Sequence, residues 1–317
     1  MHIPILLNTI CDYLIERFYQ ADQPSWLVDC TLGGAGHTKA FLKKFAEDPR
    51  LQKHKVLALD QDPQVIQTAQ ENFEHEILDG KLELQCTKFS SLSDIAKGRL
   101  VLGVLADLGF SSDQIENPQR GFSFLREGPL DMRFNPTAGV SCETFLKFVS
   151  EKKLVEIFSL YGEERFSKRI AANIINARSQ GELKTTTQLA NVILYSVPAR
   201  FRYHKTHPAT RCFQALRVYL NEELQELDQL LNNGILCLEE GGRVAVLSFH
   251  SLEDRMVKQT FKNPQLGLKV LTKKAIIPSI DEINNNPRAR SAKLRVAERQ
   301  IKEILSRSIL PGIPGSI

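Results

Sequence analysis

The sequence predicts an α/β protein in which a parallel β-sheet carries helices on both faces and is interrupted by an all-helical insertion. Short apolar runs alternate with helical patterns up to about residue 114, which is typical of βαβ units. From residue 115 to residue 206 the helical patterns continue, but the strand patterns stop. Strand patterns then return. We therefore predict a core domain made of residues 1–114 and 207–317, and an inserted helical subdomain, 115–206.

Four apolar runs predict the first strands in order: WLVDC (26–30), KVLALD (55–60), KLELQC (81–86) and RLVLGVLADLGF (99–110). Each run is short and bounded by glycine, proline or polar residues. A helical pattern at 37–46 separates the first two. A second helix begins at Pro63, where the missing N–H costs nothing in a first turn, and ends near Leu78. The fourth run is the most apolar in the chain, so we expect it to be a buried central strand.

Helical patterns fill the insertion: CETFLKFVSEKKLVEIFSLY (142–161), ERFSKRIAANIINARS (164–179) and TTTQLANVILYSVP (185–198), the last with a capping-box start. Five further elements follow: one long amphipathic helix (210–238), the strand GRVAVLSF (242–249), the helix LEDRMVKQTF (252–261), and the strands LKVLTKK (268–274) and SAKLRVAER (291–299). We expect the tail LPGIPGSI (310–317) to be poorly ordered.

Composition indicates a cytoplasmic protein without a membrane segment or a metal site. The six cysteines are scattered without a CxxC pair, which favours reduced thiols over a disulfide framework or a zinc site. The amino-terminal stretch does not resemble a secretory signal, and no apolar run approaches the roughly 20 residues of a membrane span. His204 and His207 lack neighbouring acids or thiols, so we expect no bound metal there. The net charge of +4 means that any nucleic-acid surface must be local.

The stretch DCTLGGAGHT (29–38) predicts a ligand site, because a glycine-rich turn after a first strand presents backbone N–H groups at a helix start. Phosphate and dinucleotide motifs fit poorly, since they need Gly-Lys-Ser/Thr or a third glycine where Lys39 stands. S-adenosylmethionine fits better. Its ammonium can pair with Asp29 or with a later carboxylate, and its ribose diol suits Asp60 at the end of the second strand. The alternative for either acid is a helix cap or a turn former.

Asp107 ends the fourth run, in ADLGFSSDQ, and is expected to point into the same crevice beside the reactive centre. An acid that follows several nearly apolar residues is costly to half-bury without a partner, which favours a function over a simple strand-to-loop turn. His37 is a weaker candidate, because a residue beside a helix start can also serve only as a cap.

Longer motifs relate the chain to a known family: DCTLGGAGH, ALDQDP, DLGFSSDQ, RGFSFLREGPLDMRFNPT (120–137), YGEERFSKRIA (161–171), HPATRCFQALR (207–217), SFHSLEDR (248–255) and NPRARSAKLRVAER (286–299). On these motifs the chain resembles the RsmH (MraW) methyltransferases nearly end to end. That family methylates the N4 amine of a cytosine in the decoding region of small-subunit (16S) ribosomal RNA. The resemblance implies a class I, Rossmann-like methyltransferase sheet, S-adenosylmethionine as cofactor, and 16S rRNA within the small ribosomal subunit as partner.

The resemblance also implies a set of cofactor-binding residues: Ala35, Gly36, His37, Asp60, Phe89, Asp107 and Gln114, with Phe89 against the adenine. Cys30 and Ala35 stand where glycine is common in such proteins. The methyl group of Ala35 is tolerated if φ is negative there, whereas a positive φ would contradict the loop geometry that we infer.

The catalytic hypothesis concerns Asp107. The cytosine amine is a poor nucleophile, so transfer needs an acceptor that orients its N–H and a route for the released proton. Many amino-group methyltransferases use a Pro-Pro-aromatic turn after strand four, but this chain has Asp107-Leu108-Gly109-Phe110. We therefore expect Asp107 to contribute. His250, after strand five, is expected either to contact the target base or phosphate, or to serve in packing or capping.

Two basic runs predict contacts to RNA phosphates, with a solvated basic face as the simpler alternative. Residues 200–217 contain no acid and interleave aromatics, and 286–299 is similarly rich in arginine. The candidates are Arg200, Phe201, Arg202, Tyr203, Lys205, Arg211, Phe213, Arg217, Arg288, Arg290, Lys293, Arg295 and Arg299. Arg120, Arg126 and Arg133 are expected to reach phosphate, or to pair with Glu127 and Asp131.

Two other functions stay open at this level. A nicotinamide-dependent oxidoreductase is the enzyme alternative, because Asp60 suits its ribose too. A non-catalytic RNA-binding assembly factor is the other, although it has no need for the combination of Gly36, Asp60 and Asp107.

Overall fold

The computed structural model describes residues 4–202 and 206–300. The predicted disordered tail 310–317 lies outside these ranges, as do Tyr203, His204 and Lys205 of the first basic run. The expectation that His204 and His207 bind no metal therefore stays a prediction.

One seven-stranded sheet forms the centre of the fold. Its strands are β1 (Trp26–Asp29), β2 (Lys55–Asp60), β3 (Leu82–Cys86), β4 (Val101–Asp107), β5 (Leu238–Ser248), β6 (Leu268–Val270) and β7 (Lys293–Arg299). The order across the sheet is β3-β2-β1-β4-β5-β7-β6. Strands β1 to β5 pair in parallel, whereas β7 is antiparallel to β5 and β6. This is the Rossmann order with one antiparallel strand inserted, so the predicted Rossmann-like sheet is confirmed.

The helices are α1 (Leu7–Ile15), α2 (Gly36–Glu47), α3 (Pro63–Asn72), α4 (Glu74–Leu78), α5 (Leu92–Ile95), α6 (Ser112–Glu116), α7 (Cys142–Phe148), α8 (Glu151–Leu160), α9 (Ser167–Ser179), α10 (Thr186–Ser196), α11 (Ala209–Leu220), α12 (Glu223–Asn232), α13 (Ser251–Phe261) and α14 (Ile280–Asn285). Helices α1, α5, α6 and α14 were not predicted from the sequence, and the helix predicted over 63–78 is divided at Phe73 into α3 and α4. Short 3-10 helices lie at Glu16–Gln20, Phe89–Ser91, Pro118–Arg120, Ala199–Phe201, Gly234–Cys237, Pro264–Leu266 and Pro287–Ser291. None of the helices in the described residues is both long and apolar enough to cross a bilayer.

The single long helix predicted from residue 210 is wrong, because the structure divides it into α11 and α12. The break comes at Glu222, which has a left-handed φ of 55°. Asn221 explains it: its buried side chain donates to the carbonyl of Met132 at 2.8 Å and accepts from the Phe134 N–H at 2.7 Å. These bonds reach residues some ninety positions earlier, so no local pattern predicts them. The predicted capping box at Thr185 and Gln188 is confirmed.

Successive side chains along each strand point to opposite faces of the sheet, and they form one apolar core on each face. Leu27 and Val56 face one cluster, which helices α1, α2 and α3 cover. Val28 and Leu57 face the other, which α5, α12 and α13 cover. This period of two follows from the strand geometry, and it makes the sheet buried on both faces.

Helices α7 to α11, which lie between β4 and β5 in the chain, form a third core of their own. Helix α11, which we assigned to the core domain, also contributes Cys212, Phe213 and Leu216 to this third core. The exact division at residue 206 therefore stays a prediction, and the packing of α11 favours a boundary further along the chain.

Candidate active site

The glycine-rich loop between β1 and α2 is held at the carboxyl edge of the sheet by its neighbours. The Leu32 N–H donates to the carbonyl of Leu59 at 2.9 Å, and the Thr31 hydroxyl accepts from the Asp107 N–H at 2.7 Å. Because β1 lies between β2 and β4, the loop is tied to both flanking strands. Asp29, Asp60 and Asp107 end these three strands, so the structure brings the three predicted acids to one edge.

Asp29 is buried, and its carboxylate binds the loop and the helix that follows. Oδ1 accepts from the Thr31 N–H at 3.1 Å, and Oδ2 accepts from the Thr38 hydroxyl at 2.8 Å. Burial raises its pKa to about 6, although these hydrogen bonds oppose the shift. The contacts favour the alternative in which Asp29 shapes the turn.

Asp60 is half-buried and connects the loop to the start of α3. Its Oδ2 accepts from the Gly33 N–H at 2.9 Å, and its Oδ1 accepts from the Asp62 N–H at 2.9 Å. Burial raises its pKa to about 6. Each carboxylate oxygen offers two lone pairs, so both oxygens keep the capacity to accept a hydroxyl of a ribose.

Asp107 is the most isolated of the three acids. Its side chain is 19% exposed, and the His37 Nδ1 lies 3.6 Å from its Oδ2. Among the described residues, no lysine or arginine nitrogen lies within 4.0 Å of this carboxylate. Burial, together with the nearby Asp29 and Glu253 carboxylates, raises the pKa of Asp107 to about 8. A crevice with three acids, one of them without a lysine or arginine partner among the described residues, suits a positively charged ligand.

His37 is buried in the first turn of α2, and it does not cap the helix, because Ala35 holds the N-cap position without a side-chain bond. The His37 Nε2 lies 3.2 Å from the carbonyl of Ile5. A carbonyl only accepts, so Nε2 carries a proton, and Nδ1 is the ring nitrogen that faces Asp107. The amino-terminal segment thereby fixes the orientation of the imidazole toward the acid.

Ala35 has a φ of 57°, so the condition of a negative φ is not met and the loop differs from the geometry that we inferred. A left-handed conformation costs a non-glycine residue about 1–2 kcal/mol. Two hydrogen bonds hold it: the Ala35 N–H donates to Leu32 at 2.7 Å, and its carbonyl accepts from the Lys39 N–H at 2.9 Å. The loop is therefore closed by a turn that continues directly into α2.

Gly36 is required by a close contact within the chain. A Cβ at this position would lie 2.5 Å from Cγ of Pro4. We expect Gly36→Ala to displace the amino-terminal segment and to lower the free energy of unfolding by about 1–3 kcal/mol, as overpacking typically does. Urea denaturation measures this change.

The control is the double variant Pro4→Ala/Gly36→Ala, which removes the clashing Cγ. Relative to Pro4→Ala alone, Gly36→Ala should then cost much less, and this difference is the coupling free energy of the two sites. Equal losses in both backgrounds would show that Pro4 does not pack on Gly36.

Phe89 and Gln114 both lie near the end of β2. The Thr87 N–H donates to the carbonyl of Asp60 at 2.8 Å, and Phe89 follows two residues later, partly exposed against the α5–α12–α13 core. Gln114 is buried: its Oε1 accepts from the Ser111 N–H at 3.0 Å, and its Nε2 donates to Asp62 at 3.1 Å. Gln114 therefore positions the start of α6 beside the second strand.

Asp62 and Arg120 form a buried ion pair that the sequence analysis missed. Asp62 is fully buried, and its Oδ2 accepts from Arg120 Nη1 at 2.6 Å. Arg120 Nη2 also donates to the carbonyls of Arg133 and Phe134, at 3.0 and 2.8 Å. Asp62 precedes Pro63, and this Asp-Pro signal marks it as a helix N-cap but not as an ion-pair partner.

Two of the three arginines at the entry of the insertion, Arg120 and Arg133, pair with carboxylates, whereas Arg126 is exposed. Arg133 makes two hydrogen bonds to Asp131, at 3.0 and 2.7 Å, as the pairing alternative predicted. The partner predicted for Arg120 is wrong, because Asp62 takes the place of Glu127 or Asp131.

His250 caps α13, which supports the capping alternative. Its Nδ1 accepts from the Glu253 N–H at 3.4 Å, and the Glu253 carboxylate accepts from the backbone N–H groups of Phe249 and His250. The Glu253 Oε1 lies 3.1 Å from the His250 Nε2. The residue is thereby held by its own helix, beside the end of β5.

The first basic run is partly internal, so the phosphate contact predicted for Arg217 and the stacking role predicted for Phe213 are wrong. Arg217 is buried and binds Glu223 through two bonds of 2.7 and 3.0 Å. Phe213 is buried with its ring 4.9 Å from that of Phe124. Phe201 keeps the predicted arrangement, since the guanidinium carbons of Arg165 and Arg200 lie 4.0 and 4.8 Å from its ring centre.

The second basic run is also partly paired. Arg295 is buried and donates to Asp254 at 2.7 Å, and Arg288 binds Glu116 at 2.8 Å. Arg290 is exposed. A local count of positive charge therefore overstates the free positive charge of this segment.

The fold and the site together define the class of this protein. A Rossmann-like sheet with an antiparallel β7, a glycine-rich loop after β1 and acids at the ends of β1, β2 and β4 is the arrangement of a class I methyltransferase. The chain belongs to the MraW methylase family, whose family model matches residues 1–300.

Curated relatives agree with this family. The chain is 44% identical over 300 residues to the ribosomal RNA small subunit methyltransferase H of Trichodesmium erythraeum, covering 94% of this chain and 99% of the relative. It is 41% identical over 318 residues to the protein of the same name from Hydrogenovibrio crunogenus, covering 94% and 96%.

Solved structures show more distant similarities. An rRNA methylase from Streptococcus thermophilus gives a TM-score of 0.39 at 11% identity, covering 95% of this chain and 100% of the other. The N-methyltransferase NodS from Bradyrhizobium japonicum gives a TM-score of 0.41 at 7% identity, covering 93% and 94%.

Proposed function

We propose that the protein transfers a methyl group from S-adenosylmethionine to the N4 amine of a cytosine in the decoding region of 16S ribosomal RNA. Membership of the MraW methylase family supports methyl transfer, and the names of the curated relatives support small-subunit rRNA as the substrate. The observation that carries the proposal is the Asp107 carboxyl at the end of β4, which has no lysine or arginine nitrogen within 4.0 Å in the part of the chain that the structure describes.

The crevice residues fit the proposed cofactor by their chemistry. S-adenosylmethionine supplies an electrophilic methyl group on a positively charged sulfonium. Asp60 is proposed to accept the ribose hydroxyls, and Phe89 to lie against the adenine. Ala35, Gly36 and His37 begin α2, whose N–H groups and dipole favour the carboxylate end of the cofactor. Gln114, whose side chain donates a hydrogen bond to Asp62, is also proposed to be a cofactor-binding residue.

Asp107 is the proposed catalytic residue. As an acceptor it orients the N4–H of the cytosine, so that the nitrogen lone pair is directed at the methyl group. It then takes up the proton that the amine releases. A carboxyl with a pKa of about 8 is a stronger base than an ordinary aspartate, and it is well matched to neutral pH.

The pH dependence of cofactor binding tests the charge of the crevice. A sulfonium favours the Asp107 carboxylate, so below pH 8 binding must release a proton. As the pH falls from 8 to 6, we expect the ratio of the Kd for S-adenosylmethionine to the Kd for S-adenosylhomocysteine to rise by up to about tenfold per pH unit. Isothermal titration calorimetry measures both ligands, and the second carries the same amino acid without the sulfonium.

The matched variant is Asp107→Asn, in which the ratio of the two Kd values should not change over this range. A constant ratio in the unchanged protein would show that Asp107 does not sense the sulfonium.

The helical insertion is proposed to recognise the RNA. Its Arg165 and Arg200 flank the Phe201 ring, which offers cationic groups beside an aromatic surface, as single-stranded RNA sites do. Glu163 of the insertion contacts the core at Ser251, 3.2 Å away, and at Arg255, 3.6 Å away. The insertion thus meets the core at the start of α13, beside the end of β5. Because its substrate is ribosomal, we propose that the protein acts in the cytoplasm.

Transfer of a radiolabelled methyl group to small subunits that lack the modification tests the function. We expect label in 16S rRNA, and mapping of the product should place it on N4 of one cytosine. Label on another base would overturn the specificity, and no label with any form of small subunit or 16S rRNA would overturn the function. Calorimetry with NAD in place of S-adenosylmethionine tests the oxidoreductase alternative, for which family membership gives no support.

A further inference from the structure

A second concave surface lies between α13 and the outer strands of the sheet. It encloses about 310 Å³. Its walls are Lys258, Phe261, Lys262, Val270, Lys273 and Arg295. We call it the lysine cavity. It combines an apolar floor, from Phe261 and Val270, with cationic groups from three different elements.

The lysine cavity is separate from the crevice at the ends of β1, β2 and β4. Val270 of the cavity lies on β6 in register with Ala297 of β7, which pairs with Val244, four residues before the carboxyl end of β5, and Arg295 pairs with Val246. Lys258 and Lys262 lie at the far end of α13 from His250, which caps its start. None of the residues that we assign to the cofactor lines it.

Positive charge in the lysine cavity is poorly compensated. Arg295 donates to Asp254 at 2.7 Å, but Asp254 is shared with Lys293, whose Nζ lies 3.3 Å away. Within the described part of the chain, Lys258, Lys262 and Lys273 have no carboxylate within 4.0 Å. Like charges around one concave surface repel each other, and an anion bound between them removes that repulsion.

Protection of an edge strand is a simpler use of lysine, since β6 is the last strand of the sheet. That use explains Lys269, which lies within β6. Edge protection does not explain Lys258, which lies on α13, or Lys262, which follows the last residue of α13. Both line the same cavity as Lys273. The convergence of three elements on one cavity indicates a ligand with several negative charges.

We propose that the lysine cavity binds the phosphate backbone of the RNA substrate, at a distance from the methylated cytosine. This inference rests on the proposed function, because it takes RNA as the source of the phosphates. Lysine ammonium groups contact phosphates as point charges and do not contact the edges of the bases. The cavity therefore adds affinity and orientation but no sequence specificity.

The test is the triple variant Lys258→Ala/Lys262→Ala/Lys273→Ala, in binding to labelled 16S rRNA fragments and small subunits at several salt concentrations. The slope of log K against log salt is negative, and each lost phosphate contact reduces its magnitude by about 0.7. The loss of three contacts should therefore reduce the magnitude by about 2. Affinity near 0.1 M salt should fall on the order of 100-fold. The Kd for S-adenosylmethionine should not change, which also shows that the variant is folded.

The control variant removes three lysines of the core domain that already bind a neighbouring acid or carbonyl: Lys43→Ala, Lys53→Ala and Lys97→Ala together. It changes the net charge equally, so it should keep the slope and most of the affinity if the lysine cavity acts locally. The variant Lys258→Arg/Lys262→Arg/Lys273→Arg should bind RNA like the unchanged protein.

Three outcomes would overturn the inference. The first is an unchanged slope in the alanine variant, while the unchanged protein still methylates small subunits; the proposed function then stands. The second is an equal loss in the control variant. The third is binding of inorganic pyrophosphate that depends on these lysines while RNA affinity does not, which assigns the site to a free phosphate ligand. Failure of the unchanged protein to methylate any RNA would instead reject the proposed function.

Discussion

Asp107→Asn is expected to lower the rate of methyl transfer by about 10²- to 10⁴-fold, the usual effect of removing a general base, with the fold intact. Asparagine keeps the size of the side chain and can still accept a hydrogen bond through its oxygen, but it cannot take up the proton from the amine. Single-turnover transfer with S-adenosylmethionine and small subunits measures the change. The loss should appear in kcat more than in the affinity for RNA.

The same substitution should stabilise the fold of the protein without ligand. The pKa of Asp107 is raised from 3.8 to about 8, so the folded state binds a proton that the unfolded state has lost. The carboxyl therefore destabilises the fold increasingly as pH rises from about 4 to about 8, and by a constant amount above pH 8. We expect the Tm of Asp107→Asn to exceed that of the unchanged protein by a margin that grows over this range.

Asp113→Asn is the matched control, because Asp113 is exposed on the neighbouring helix α6. It should change neither the rate nor the pH dependence of Tm. Near-normal turnover in Asp107→Asn would refute the catalytic assignment, and an unchanged Tm profile would contradict the burial of its charge.

Asp62→Ala is expected to lower the free energy of unfolding by about 3–5 kcal/mol, the usual effect of breaking a buried ion pair. The substitution leaves the Arg120 guanidinium buried without its carboxylate, and it removes the cap of α3 as well as the acceptor for Gln114. Denaturation by urea measures the loss. A control at the exposed Asp94, in Asp94→Ala, should change stability by no more than about 0.5 kcal/mol.

The double variant Asp62→Ala/Arg120→Met separates the charge from the packing. It removes the unpaired cation while keeping an apolar side chain in its place, so part of the lost stability should return. A double variant that is as unstable as the sum of the two single variants would show that the pair does not couple. Because Arg120 also holds the carbonyls of Arg133 and Phe134, we expect Asp62→Ala to weaken RNA binding too.

Local patterns sufficed to predict the strands and most of the helices. Apolar alternation in KVLALD and the proline at position 63 are local signals, and both β2 and the start of α3 lie where they indicate. The same holds for the positions of Asp60 and Asp107 at strand ends, because parallel strands bring their carboxyl ends to one edge. The helix break at Asn221 was missed, since its hydrogen bonds reach Met132 and Phe134.

The sequence by itself thus determined the sheet with helices on both faces, the helical region between β4 and β5 and the edge at which the acids meet, because period and turn chemistry act between near neighbours. Only the tertiary structure decided which charges are paired. The basic runs have fewer free cations than their composition indicates, because Arg217 pairs with Glu223 and Arg295 pairs with Asp254. At the entry of the insertion, Arg120 likewise pairs with Asp62. The physical reason is that the energy of a charge depends on its burial and its partner, and both are set by residues far away in the chain.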